Sequence, residues 1–142
     1  MFWEKTPNAK LNVLVVDDYE DARKLTCSVL RQFSSGPALH PIEAENGLKA
    51  LTILEKESID LIVADWIMPG MNGLEMLKKI RQREKTKNVP VIMLTGMANE
   101  EDVVKAIQAG VTSYIVKPFT IQALEEKIKA ALKVIPKKDR AT

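Results

Sequence analysis

The sequence predicts an α/β domain in which five strands alternate with five helices, a (βα)5 doubly wound parallel sheet of strand order 2-1-3-4-5. Three observations predict it. Short apolar runs recur between amphipathic segments, and parallel strands need such helical crossovers, nearly always right-handed. The runs around Val13-Leu14-Val15-Val16, Leu61-Ile62-Val63-Ala64 and Val91-Ile92-Met93-Leu94 carry no polar residue, which suits central strands covered on both faces. The remaining two strands are weaker, one broken by Pro41 and the other more polar, which places them at the two edges.

Each element has its own warrant. Residues 1–10 read as a flexible leader, residues 11–135 as the domain, and residues 136–142 as a short basic tail. The first strand runs from Leu11 and ends on Asp17-Asp18. A helix from about Glu20 to Phe33 follows, with Ala22, Leu25, Val29 and Phe33 expected on its inner face. Cys27 rides on it as a packing residue, the usual fate of a free cysteine. Leu39 to Ala44 is the second strand, and its Pro41 cannot donate to a ladder. His40 stands alone there, with no second ligand at metal spacing. Asn46 caps a helix to about Glu57, packed through Leu51 and Leu54.

The third strand, Asp60 to Asp65, opens into the loop Trp66-Ile-Met-Pro-Gly-Met-Asn-Gly73. Asn72 caps the next helix with Glu75 three residues on, and Leu74, Leu77 and Ile80 supply its inner face. Val89 to Thr95 is the fourth strand, with Pro90 at its start. Asn99 then caps a helix whose Glu100, Glu101 and Asp102 suit the dipole. Val103, Ala106 and Ile107 are expected inward, and Gly110 stops it. Thr112 to Lys117 is the fifth strand, followed at once by Pro118. From Thr120 the last helix turns Leu124, Ile128, Ala131 and Ile135 inward, with Glu125 and Lys129 as an i,i+4 pair. Pro136 ends it.

Composition narrows the class. A chain of 142 residues fits one domain. That length buries roughly 70% of the surface its unfolded chain exposes, so no disulfide or structural zinc is needed. Hydrophobic residues at 46% and charged residues at 28% are ordinary for a soluble globular domain. The single cysteine excludes an internal disulfide framework and fits a reducing compartment, so a cytoplasmic location is expected. No apolar run approaches the ~18 residues that span a membrane, and no secretory h-region is visible. Net charge is +2 with no basic stripe to concentrate it, which gives little support to nucleic-acid binding.

The topology puts every strand's carboxyl end along one rim, where open α/β sheets bind ligands. Asp17, Asp18, Asp65, Thr95 and Lys117 all fall there. Asp65 ends a run buried on both faces, where a carboxylate is costly unless a cation meets it. Three neighbouring carboxylates repel and call for a cation. Oxygen ligands suit a hard divalent ion such as Mg2+, which takes few carboxylates and keeps places for water and phosphate oxygens. A carboxylate can also act as a nucleophile toward phosphorus. Phosphoryl transfer mainly needs positioning and charge neutralisation, which Mg2+, a lysine and a hydroxyl supply.

Val15-Val16-Asp17-Asp18, Asp65-Trp66-Ile67-Met68-Pro69, Leu94-Thr95-Gly96 and Tyr114-Ile-Val-Lys117-Pro118-Phe119 resemble the signature of the response regulator receiver family. The resemblance covers residues 11 to about 135 and implies a flavodoxin-like fold. By that resemblance Asp65 is the phosphoacceptor. Asp17 and Asp18 are the acidic pair that holds Mg2+, joined by Asp65 and the backbone carbonyl of Ile67. Thr95 matches the hydroxyl that swings toward the phosphoryl group. Lys117 matches the lysine that pairs with a phosphoryl oxygen, and its bond to Pro118 is expected to be cis. Tyr114 matches the aromatic whose rotamer follows Thr95.

The implied function is a phosphoacceptor of a two-component phosphorelay. A histidine kinase or histidine phosphotransfer protein is the donor, and the protein is no enzyme beyond its own phosphorylation and dephosphorylation. The output is a partner bound through the fourth helix and fifth strand. Only seven residues follow Ile135, so no DNA-binding domain is expected. A receiver cut from a larger regulator is the alternative. An aspartyl-phosphate hydrolase of the haloacid dehalogenase type is disfavoured, because its Asp-x-Asp pattern follows the first strand. Two positions depart from the chemotaxis members of the family. By the resemblance Ile67 and Met97 fall at positions that in the family flank the path of a hydrolytic water, and both are apolar, so slow self-dephosphorylation is expected.

Overall fold

The computed structural model describes residues 10–96 and 99–135; the expected leader before Lys10, Met97, and Pro136 with the tail lie outside the described residues. Ten elements alternate: β1 (Lys10–Val16), α1 (Glu20–Arg31), β2 (Ala38–Ala44), α2 (Gly47–Lys56), β3 (Leu61–Asp65), α3 (Gly73–Gln82), β4 (Val91–Thr95), α4 (Glu100–Gln108), β5 (Ser113–Val116) and α5 (Ile121–Leu132). The strands form one sheet of order β2-β1-β3-β4-β5, with every neighbouring pair parallel. The fold is the flavodoxin-like one that the sequence predicts. Among the described residues no helix is long and apolar enough to cross a membrane.

Alternation along the central strands splits the interior into two cores. Leu11, Val13, Val15, Leu61, Val63, Ile92 and Leu94 point to the face covered by α1 and α5. Leu14, Val16, Ile62, Ala64, Val91 and Met93 point to the face covered by α2 and α3. Both faces are dry, which is why these runs contain no polar residue. Asn46, Asn72 and Asn99 cap their helices as expected, accepting the backbone N–H groups of Lys49, Glu75 and Asp102, and Thr120 caps α5 in the same way through the Ala123 N–H.

Three inner-face assignments shift. Leu25 is 62% exposed, and α1 instead buries Thr26, Cys27, Val29 and Leu30. Leu74 is half-buried, while Gly73, Met76, Leu77 and Ile80 form the inner side of α3. Ile107 is 61% exposed, and α4 buries only Ala106. Each misplaced residue flanks the true stripe, which is centred on small or soft residues that hydrophobicity alone underweights. Lys129 meets Glu126 at 3.5 Å, one residue beyond the expected Glu125.

Candidate phosphoacceptor and metal centre

The sheet register sets this site. Val16 pairs with Ala64, so Asp17 and Asp65 emerge side by side where β1 and β3 end. These are also the strands between which the chain order reverses. Thr95 closes β4, buried, and its carbonyl accepts the Lys117 N–H at 2.7 Å just past β5. The Lys117–Pro118 bond is cis, as expected. Lys117 then reaches back across the strand ends. Its Nζ lies 3.4 Å from Asp65 Oδ2 and 3.8 Å from Asp17 Oδ2.

Asp17, Asp18 and Asp65 each bring one carboxylate oxygen to within 4.8 Å of the others. Their surroundings differ: Asp17 is buried, Asp65 is partly covered, and Asp18 is exposed. Asp17 Oδ1 accepts the Tyr19 N–H at 2.9 Å. Its Oδ2 is buried with no hydrogen-bond partner, because Lys117 at 3.8 Å is within ion-pairing range only. Burial pushes the Asp17 carboxyl above its ordinary value, and the charges of Asp65 and Asp18 push the same way. The Tyr19 N–H and Lys117 oppose them without cancelling the effect. A buried oxygen without a partner, beside two more carboxylates, fits a hard cation that takes oxygen ligands.

The loop after Asp65 forms the open side. The Ile67 N–H lies 3.4 Å from Asp65 Oδ1, and the Ile67 side chain is 53% exposed. Gly70 turns this loop with φ of 78°, a conformation that side chains disfavour. Gly73 brings α3 back: its N–H donates to the Trp66 carbonyl at 2.7 Å. A Cβ at Gly73 would sit 2.8 Å from the Asp65 carbonyl oxygen and 2.9 Å from Trp66 Cα. The absence of a side chain there lets α3 abut the site strand. Tyr114 is half-buried and packs against the α2–α3 core, with its Cα paired to that of Met93. His40 is exposed on the edge strand and Cys27 is buried, both away from the cluster.

The structure thus brings together Asp17, Asp18, Asp65 and Lys117, places Thr95 on the adjoining strand end, and sets Ile67 on the rim. Sequence reasoning missed the Tyr19 N–H, which holds one oxygen of Asp17, and Gly73. The pair Asn72-Gly73 at a helix start was a usable signal for the second; nothing local announces the first.

Fold and cluster together define a doubly wound α/β domain with an acidic centre at its topological switch point. Residues 13–129 match the response regulator receiver domain family, and the chain belongs to it. It is 43% identical over 121 residues to the chemotaxis protein CheY-3 of Vibrio cholerae, covering 85% of this chain and 91% of that one. It is 40% identical over 119 residues to the chemotaxis protein CheY of Pseudomonas aeruginosa, covering 84% and 94%. Among solved structures, Vibrio cholerae CheY4 superposes with a TM-score of 0.78 at 30% identity, covering 87% of this chain and 99% of that one. The receiver domain of a sensor histidine kinase from Pseudomonas aeruginosa, with a magnesium ion coordinated in its active-site cleft, gives 0.78 at 26% identity, covering 88% and 99%. The chain is a receiver domain of the CheY type, consistent with a phosphoacceptor of two-component signalling.

Proposed function

We propose that Asp65 accepts a phosphoryl group from the phosphohistidine of a histidine kinase or a phosphotransfer protein, in the cytoplasm. The observation that carries this is the convergence of Lys117 and two further carboxylates on Asp65. An Asp65 oxygen attacks phosphorus as the P–N bond breaks, and the donor imidazole keeps the electron pair and takes up a proton. Asp17, Asp18, Asp65 and the Ile67 carbonyl would hold Mg2+, which supplies charge neutralisation for the phosphoryl oxygens. The Lys117 ammonium pairs with one such oxygen, and the Thr95 hydroxyl turns toward another. Tyr114 follows Thr95 inward. Residues 11–135 act as one receiver unit that turns over no substrate of its own.

The readout is a shifted population of surfaces around α4 and β5 that binds a partner protein. Support comes from the shallow seating of α4, which leaves Val104 and Ile107 exposed, and from β5, where Val116 is exposed as well. The Ile67 side chain offers no hydrogen bond to a hydrolytic water, so the phosphorylated state is long-lived; Met97 has the same expected effect.

Intact-mass analysis after incubation with Mg2+ and acetyl phosphate tests the reading. The wild-type chain should gain one phosphoryl group, Asp65→Asn none, and Ile67→Asn should lose its group faster than wild type. Phosphorylation of Asp65→Asn to the wild-type extent would refute Asp65 as acceptor. An unchanged lifetime in Ile67→Asn would remove Ile67 from control of turnover.

A further inference from the structure

Arg23 lies in the first turn of α1 and carries no role so far. Its Nε donates to Glu43 Oε1 at 2.8 Å, and its Nη1 donates to the main-chain carbonyl of Asp17 at 3.0 Å. Lys24 Nζ donates to the other Glu43 oxygen at 3.0 Å, so both carboxylate oxygens are engaged. Glu43 belongs to β2, and the next residue, Ala44, accepts the Asp17 N–H at 3.1 Å. The end of β2 therefore holds the Asp17 main chain twice, its N–H through Ala44 and its C=O through the Glu43–Arg23 pair.

That carbonyl lies in the peptide joining Asp17 to Asp18. The peptide is planar, so fixing its oxygen fixes the direction in which the chain enters Asp18. Asp17 has the Tyr19 N–H to steady its side chain. Among the described residues no group bonds the Asp18 carboxylate, so its aim rests on the backbone before it. Arg23 suits this task because its planar fork reaches an acid and a carbonyl together, where a lysine offers one point charge. Its side chain is only 13% exposed, which shelters both bonds from water.

We propose that Arg23, anchored by Glu43, is a positioning residue that orients the Asp17–Asp18 pair and thereby sets the affinity of the site for a divalent cation. The inference rests on the metal-site reading above. Groups that orient metal ligands without touching the ion typically change affinity 10–100-fold when removed.

Mn2+ is a direct probe, since electron paramagnetic resonance reads the free ion in titrations of the full chain. Arg23→Ala should bind Mn2+ about tenfold more weakly than wild type. Arg23→Lys should recover part of the loss, and Glu43→Gln should show a smaller loss in the same direction. Thr86→Ala removes a buried hydroxyl bond to the Ile80 carbonyl at the far end of the sheet. It should lower the urea midpoint and leave Mn2+ affinity at the wild-type value. Wild-type affinity in Arg23→Ala and Glu43→Gln, or an equal loss in Thr86→Ala, overturns the proposal; if Arg23→Ala fails to fold, Glu43→Gln decides. A wild-type chain that binds no Mn2+ overturns the metal-site reading and this inference together.

Discussion

The two ends of the sheet treat their polar groups in opposite ways. Where the strands begin, side chains close their hydrogen bonds within the protein. Buried Asp60 accepts the Asn12 N–H at 2.9 Å, and Thr112 Oγ1 accepts the Val91 N–H at 2.8 Å. Arg81 stitches two loops, donating from Nη1 to the Val89 carbonyl at 2.6 Å and from Nε to the Gly110 carbonyl at 2.9 Å. Where the strands end, three carboxylates cluster, Asp17 Oδ2 is buried without a hydrogen bond, and Asp17 and Asp65 share one lysine, Lys117. Leaving one buried polar group unsatisfied costs about 1–3 kcal/mol, more for a charge. One end adds cohesion; the other carries a cost that a bound cation would relieve.

The largest expected effect tests the cohesive end. Arg81→Ala removes both stitches and a longer bond to the Thr86 carbonyl at 3.5 Å, and the loss of this donor should cost about 3 kcal/mol of stability. Urea unfolding measures this, and Mn2+ affinity should stay at the wild-type value. A drop in cation affinity matching the stability loss would show that the two ends are not independent.

At the opposite end the sign should invert. Asp17→Asn takes a charge out of a buried position that lacks a hydrogen bond for one oxygen, and the amide can still accept the Tyr19 N–H. Metal-free protein should gain about 1 kcal/mol. The same variant should lose the stabilisation that Mg2+ gives the wild type, which by mass action is about 2.7 kcal/mol at a hundredfold excess over the dissociation constant. Chemical unfolding in chelator and in Mg2+ reads both effects. If Asp17→Asn destabilises the metal-free chain, Asp17 is a structural acid like Asp60 and the contrast between the ends fails.

That contrast was only half visible in the sequence. The strand-end cluster was visible because apolar runs stop abruptly on Asp17 and Asp65, and parallel topology sends those stops to one rim. The cohesive end was not, since Arg81 with Gly110 and Asp60 with Asn12 pair residues far apart in the chain without any local pattern. Arg23 escaped for the same reason, its acid lying twenty residues away on β2. Helix faces were read well where large residues mark the stripe, as Leu124 and Ile128 do in α5. They were misread where the stripe is Thr26 and Cys27, or Ala106 alone.

The smallest expected effect separates two acids at the same end. Asp17 has a carboxylate oxygen with no hydrogen bond, whereas Glu43 has both oxygens bonded. The Arg23 guanidinium, and then Lys24, hold the Glu43 carboxyl below its ordinary value of 4.5. A carboxyl depressed by folding stabilises the fold above 4.5, and that contribution disappears as pH falls through the lowered value. Glu43→Gln should therefore be less stable than wild type at neutral pH. The gap should close in acid, where wild-type Glu43 is protonated and resembles the amide. Urea midpoints of both proteins across that range measure it. A gap that persists undiminished in acid would mean that Glu43 acts by shape and hydrogen bonding alone, and that its charge contributes nothing to the hold on Asp17.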